Sequence, residues 1–380
     1  MNFAKSNDKI SAREVISYAS LDRQFAEEKS EILDMQSKIL ASGQYILGEI
    51  VNELEIKIAE YCGVSHCVSL NSGTDALLLG MLALGIGRGD EVITPPNSFV
   101  ASSAAIAHIG AKPVFVDVAD DQNIDVANIE RAITSKTKAI MPVHLTGRIC
   151  DMDKIESIAK QHGLAVVEDA AQSFGSKYKG RAAGSFGDVA CFSAHPLKVF
   201  NACGDAGFVT TNRDDLASRI RTLRAHGMVD RNTVKEWGVV SRLDALQAGI
   251  LLVRLAKIDD YIKRRRRNVE TFKRLISSSG VYIAPCKECE YNSFQTFVVR
   301  SSQRDELQAY LLDAGIHTSV HYPVPIHLQP AAAALGYKSG DMPETESQAK
   351  TILSVPVSQF LRDEEVVYIA NTINNFFLNK

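Results

Sequence analysis

From about residue 60 to residue 212, short runs rich in apolar and β-branched residues alternate with helical patterns, and few folds accept such an alternation. The runs fall at 66–70, 91–94, 113–118, 138–142, 164–167, 188–193 and 207–211. Strands separated by helices pair through crossovers rather than hairpins, so the pattern predicts a mostly parallel, seven-stranded sheet with helices on both faces. The helical segment 74–84 is apolar nearly all round. That marks a helix buried between sheet and neighbour, and it is too short to cross a membrane. After Ser241 the texture changes to a long helical pattern, 242–276, with Leu243, Leu246, Ile250, Val253 and Ile258 apolar and dense charge elsewhere. It reads as a connector. The rest mixes a strand at 293–299 with helices at 304–314, 344–352 and 363–376, which suggests a smaller α+β domain. A chain of 380 residues exceeds the size at which one core stops growing. We therefore expect a large domain over 1–250, including an N-terminal helical segment, and a small C-terminal domain over 251–380.

In open α/β sheets ligands bind outside the carboxyl ends of the strands, and two of these ends carry reactive groups. Leu164-Ala165-Val166-Val167 leads into Glu168-Asp169, and Asp188-Val189-Ala190-Cys191-Phe192-Ser193 is followed after a short turn by Lys198. Taken alone, Lys198 is one surface charge among many and Asp169 a strand-end turn residue. Together they offer what pyridoxal 5'-phosphate (PLP) requires: an amine to hold the aldehyde, and an acid opposite the ring nitrogen to keep it protonated. Ser72-Gly73-Thr74 lies between a strand and an apolar helix, where orphan N–H groups and the helix dipole attract a phosphate, though any helix start looks similar.

Several blocks extend the pattern. They are Asn71-Ser72-Gly73-Thr74-Asp75-Ala76-Leu77, Pro96-Asn97-Ser98-Phe99-Val100-Ala101-Ser102, Glu168-Asp169-Ala170-Ala171-Gln172, Ser193-Ala194-His195-Pro196-Leu197-Lys198, Gly204-Asp205-Ala206-Gly207, Ser241-Arg242-Leu243-Asp244 and His321-Tyr322-Pro323-Val324-Pro325-Ile326-His327-Leu328-Gln329-Pro330. In this order, over nearly the whole chain, they resemble the DegT/DnrJ/EryC1/StrS family of sugar aminotransferases. The resemblance implies the PLP-dependent transferase fold type I, with Lys198 and Asp169 catalytic. It assigns the phosphate to the Gly73 and Thr74 amides and the Ser193 hydroxyl, ring stacking to Phe99, and a hydrogen bond to the phenolic oxygen to Gln172. It turns His321 and His327 toward the sugar and donor pocket, where they either donate to sugar hydroxyls or are plain loop residues.

The implied reaction moves an amino group from L-glutamate onto a keto sugar for lipopolysaccharide or other cell-surface glycan synthesis. The sugar is either nucleotide-linked or the eight-carbon 8-oxo-3-deoxy-manno-octulosonate, toward which the Ala-His-Pro-Leu-Lys and Ala-Gly-Phe-Val variants lean. A sugar dehydratase on the same fold often replaces the Schiff-base lysine by histidine, and a non-catalytic regulator would be expected to lose Lys198 or Asp169; both residues are present. The family builds shared sites in a homodimer. Where members commonly carry Gly-x-Asn, this chain reads Gly238-Val239-Val240, so the asparagine that reaches the partner's cofactor phosphate is replaced by Val240, which has no side-chain hydrogen bond to give.

Composition narrows the rest. A net charge of −3 and a pI near 6.3 give no general pull toward nucleic acid or an acidic membrane. The basic run Lys263-Arg264-Arg265-Arg266-Arg267 reads as a solvated helix face. Met1 to Lys9 lacks the apolar core of a secretory signal, no window approaches the ~18 apolar residues of a membrane span, and the seven cysteines are odd in number and irregularly spaced. These point to a soluble cytoplasmic protein with reduced thiols. Cys286-Lys287-Glu288-Cys289 has no second ligand pair nearby and reads as a loop, so no metal is expected.

Overall fold

The computed structural model describes residues 15–378; the reading of Met1 to Lys9 lies outside the described residues. Two helices, α1 (Leu21–Ser42) and α2 (Glu49–Cys62), precede the sheet. The chain then runs β1 (His66–Leu70), α3 (Gly73–Ala83), β2 (Glu91–Thr94), α4 (Ala101–His108), β3 (Lys112–Phe115), β4 (Thr137–Ile140), α5 (Met152–His162) and β5 (Ala165–Asp169). A short pair, β6 (Lys177–Tyr178) and β7 (Arg181–Ala182), precedes β8 (Val189–Ser193), β9 (Gly207–Thr211) and α6 (Asp214–Leu223).

The main sheet has seven strands in the order β1-β9-β8-β5-β4-β2-β3. Strands β3, β2, β4, β5 and β8 are parallel, and β9 runs antiparallel to both of its neighbours. Because β1 and β8 each oppose β9, they point the same way as β5, and the chain ends of all three share one edge. Alternation along each strand divides the core into two layers. Ile93, Val166 and Phe208 pack with α2, α5 and the later helices, while Val92, Val167 and Val209 pack with α3, α4 and α6 on the opposite face. The apolar wrap of α3 follows from this: sheet lies on one side and α4 and α6 on the other.

Beyond the sheet come α7 (Ala245–Leu255), α8 (Ile258–Leu275), β10 (Glu290–Tyr291), β11 (Phe297–Arg300), α9 (Arg304–Asp313), α10 (Pro343–Thr351), β12 (Ile352–Val355) and α11 (Asp363–Leu378). The helical pattern read over 242–276 is therefore two helices, broken at Ala256 and Lys257. The apolar core of the sheet domain continues into the start of α8 through Ile258 and Ile262. Further along the same helix, Val269 and Phe272 enter a second core built on the antiparallel pair β11–β12 with α9 and α11. Ile16 joins that second core, bridged to Ile316, so the start of the described chain lies against it.

The basic run departs from its reading as a solvated face. Arg265 is 7% exposed and donates to the carbonyls of Phe294 and Gln295, and Arg266 donates to Asn292 O while lying over the Tyr291 ring. Arginine stems bury well when the guanidinium finds carbonyl acceptors, a possibility that residue type alone does not reveal. Among the described residues no helix is long and apolar enough to cross a membrane.

Candidate active site

The site begins with the alternation of β5. Asp169 and Glu168 leave the strand on opposite faces, and both are buried, at 4% and 0% exposure. The backbone of Asp169 is fixed on both sides, its N–H donating to Pro142 O at 2.9 Å and its carbonyl accepting from His144 N at 3.0 Å. One carboxylate oxygen accepts from Ser102 Oγ at 2.6 Å and the other from the Ala171 N–H at 3.2 Å. Burial pushes this carboxyl above its ordinary value; the two hydrogen bonds and the charge of Lys198 pull the other way. Behind it, Glu168 accepts from the N–H groups of Gly184, Phe186 and Gly187 and pairs with His144 Nε2 at 3.0 Å. Because Cys150 N–H donates to His144 Nδ1, the imidazole carries its proton on Nε2, toward Glu168.

Lys198 follows β8 in a turn closed by its own N–H to His195 O at 2.8 Å. Desolvation brings its amine down to about 8, against the opposing pull of Asp169. An ammonium this close to its neutral form at working pH suits both nucleophilic attack and proton transfer.

Across the cavity stands the first turn of α3, where Ser72 caps the helix by accepting from Asp75 N–H at 3.1 Å. Gly73 touches the end of β8 so closely that a Cβ there would lie 2.5 Å from Ser193 Cβ. Glycine at this point opens a cradle between helix N-terminus and Ser193 hydroxyl, which a phosphate fits and a side chain would fill. Gly73, Thr74, Phe99, Asp169, Gln172, Ser193 and Lys198 all line one cavity of about 420 Å³. Phe99 is 55% exposed and lines that cavity, its ring 5.9 Å from that of Tyr322. The fit to PLP is therefore piecewise complete: a phosphate cradle, a ring-covering aromatic, an acid and an amine.

The two histidines part company. His321 lines the cavity, its Nδ1 within 2.9 Å of Ser354 Oγ, and burial together with Lys198 lowers its pKa to about 4, so it stays neutral near pH 7. His327 is 2% exposed and absent from the cavity wall; its Nε2 pairs with Glu346 at 3.1 Å and its ring packs near Phe115. Direct sugar contact from His327 is thus not what this arrangement offers. Gln172 accepts from Thr146 N–H at 2.9 Å and donates to the Tyr322 hydroxyl at 3.2 Å, leaving its second N–H for a ligand. Val240 is 49% exposed on a turn-rich excursion between α6 and α7.

Sequence reasoning singled out none of Ser102, Tyr18, Gln295, Thr296 or Tyr322, all of which line the cavity. Ser102 and Tyr322 lie in the 96–102 and 321–330 blocks, but nothing in the spacing reveals that Ser102 donates to a carboxylate 67 residues away. Tyr18 and Gln295 come from distant parts of the chain, one before α1 and the other just before β11.

A model of the DegT/DnrJ/EryC1/StrS aminotransferase family matches residues 26–374. The chain is 43% identical over 361 residues to a pleiotropic regulatory protein of Geobacillus stearothermophilus, covering 94% of this chain and 97% of that one. It is 38% identical over 362 residues to the UDP-2-acetamido-2-deoxy-3-oxo-D-glucuronate aminotransferase of Pseudomonas aeruginosa, covering 95% and 100%. Among solved structures, S. venezuelae DesV in complex with a ketimine intermediate superposes with a TM-score of 0.93 at 37% identity, over 95% of this chain and 98% of that chain.

Proposed function

The chain belongs to the DegT/DnrJ/EryC1/StrS family and is a PLP-dependent sugar aminotransferase, and on that premise we propose that it moves an amino group from L-glutamate onto the keto carbon of a nucleotide-linked sugar. The observation that carries the reading is the meeting of Asp169 and Lys198 in one cavity whose far wall is the Gly73–Ser193 cradle. When bound, PLP supplies an aldehyde that captures amines and a protonated ring that withdraws electrons. Lys198 Nζ would hold the aldehyde carbon and, once freed by the donor's amine, would serve as the base for the donor Cα proton and as the acid that delivers a proton to the sugar carbon. Asp169 would hold a proton on the ring nitrogen, the first turn of α3 and the Ser193 hydroxyl would take the phosphate, and Phe99 would cover one ring face. The neutral imidazole of His321 donates to or accepts from the sugar without adding charge.

The P. aeruginosa relative is named for a nucleotide-linked keto sugar, which supports that substrate class over the eight-carbon acid. The retained lysine and acid speak for transamination over dehydration or regulation. Solubility, a cytoplasmic location, a role in cell-surface glycan synthesis and a homodimer with shared sites complete the proposal. The exposed apolar face at Val229, Val234, Trp237, Val239 and Val240 supports the dimer. Borohydride reduction of the PLP-loaded protein followed by peptide mapping should find the cofactor on Lys198. L-glutamate should convert the bound cofactor to its amine form, and a panel of nucleotide-linked keto sugars should restore it. Label on another residue sinks the assignment of Lys198, and restoration only by the octulosonate sinks the substrate class.

A further inference from the structure

The small domain reaches into the sheet domain at the peptide groups on either side of Lys198. Gln295, two residues before β11 and 9% exposed, spans them with its side-chain amide: Oε1 accepts from the Val199 N–H at 2.9 Å and Nε2 donates to Leu197 O at 2.7 Å. Gln295 is itself held from α8. The Arg265 guanidinium donates through Nη2 to Gln295 O at 2.8 Å, through Nε to Phe294 O at 2.8 Å and through Nη1 to Gln359 Oε1 at 2.7 Å. All three acceptors are neutral oxygens, an unusual set for a buried arginine, since buried cations are ordinarily paired with a carboxylate. Phe294 adopts a φ of 51°, a left-handed conformation that non-glycine residues rarely take, and the bend turns Gln295 toward the lysine loop. The loop after β4 backs the same segment: a Cβ on Gly147 would lie 2.9 Å from the backbone nitrogens of Phe294 and Gln295.

We propose that Gln295 is a positioning residue for Lys198, and that Arg265 holds Gln295 in place. Lys198 must swing its amine between two positions in each turnover. A long flexible side chain reaches both reliably only if its own backbone stays still, and a misplacement of about 1 Å can cost about a hundredfold in rate. By gripping the peptide groups on both sides of the lysine, Gln295 fixes the pivot and leaves the side chain free. Because the grip comes from the small domain, the aim of the lysine is tied to how the two domains sit.

The proposal rests on Lys198 as the amine that holds the cofactor, and its test separates the two ideas. Gln295→Met keeps the volume and removes both hydrogen bonds; Gln295→Glu keeps an acceptor for Val199 N–H and loses the donor to Leu197. Amide hydrogen exchange is read over 196–200 in the cofactor-free and PLP-loaded full chain, alongside the single-turnover rate with L-glutamate per bound cofactor. For Gln295→Met we expect exchange at Val199 to quicken at least about tenfold while β5 and β8 stay protected. The half-reaction should slow at least about tenfold, with the glutamate concentration for half-maximal rate within about twofold, and Gln295→Glu should fall between it and the wild type on both readings. Unchanged exchange at Val199, or faster exchange at a wild-type rate, overturns the proposal. Should Gln295→Met not fold, Gln295→Glu decides by the same two readings. If the wild-type protein takes no amino group from glutamate, the donor reading fails. The clamp is then decided by exchange at Val199 and by the rate at which borohydride-trappable PLP attaches to Lys198.

Discussion

At the scale of single residues, the site works through opposed shifts. Asp169 is buried and pushed up, Lys198 is buried and pushed down to about 8, and each partly restores the other's charge. Removing the negative charge with Asp169→Asn should therefore lower the Lys198 midpoint further, below about 8 in the cofactor-free protein, as read by the pH dependence of amine acylation at that peptide. A midpoint near the ordinary lysine value of 10.5 in the wild type would contradict the burial. The sign for stability follows. Between about 8 and 10.5 the unfolded chain holds a proton that the folded chain has released, so the cofactor-free protein gains stability from Lys198 as pH rises through that window. With PLP bound, Asp169→Asn should slow the half-reaction by about a hundredfold, about 2.7 kcal/mol, while cofactor affinity changes much less. Wild-type turnover in this variant would remove Asp169 from its role.

At the scale of elements, the close contact of α3 with β8 sets what the cradle can hold. Gly73→Ala adds a Cβ 2.5 Å from Ser193 Cβ, and relieving such an overlap shifts helix or strand at a cost of about 1–3 kcal/mol. The shift falls on the amides and hydroxyl assigned to the phosphate, so PLP affinity should drop at least about tenfold by absorbance titration. A similar fall in affinity for inorganic phosphate as competitor should accompany it. Unchanged PLP binding would show that the phosphate sits elsewhere. Around the segment that carries Lys198, Phe174 stacks on Phe200 at 4.4 Å and Phe192 on Phe208 at 4.7 Å. These rings pack on the interior strands β8 and β9, while Gln295 holds the backbone on either side of Lys198.

At the scale of the whole molecule, the excursion between α6 and α7 presents Trp237 at 93% exposure beside Val239 and Val240. A patch of this kind is what a second copy would cover. Light scattering should give a dimer, and because the chain has one tryptophan, Trp237, its emission should shift to the red on dilution or in Val239→Glu as the interface opens. Val240→Asn should leave PLP affinity unchanged or improve it by at most about 1.5 kcal/mol, the scale of one added hydrogen bond. A fully active monomer would refute the shared site, and a large loss of PLP in Val240→Asn would show that Val240 packs where a phosphate contact has been assumed.

Local rules were enough for most of the sheet, for the acid and the amine at its carboxyl edge, and for the helix start capped by Ser72. Strand alternation, the turn after β8 and the cap at Ser72 all act within a few residues of chain. The antiparallel insertion of β9, the division of the 242–276 helical pattern at Lys257, the retreat of His327 behind Glu346 and the burial of Arg265 were decided only in three dimensions. Each depends on which distant surface an element meets, and composition cannot say whether an arginine will find water or three carbonyl oxygens. The same holds for Ser102 on Asp169 and Gln295 astride Lys198. Their hydrogen bonds join residues 67 and about 100 positions apart, and a contact at that range exists only once the packing of both domains has fixed where each backbone runs.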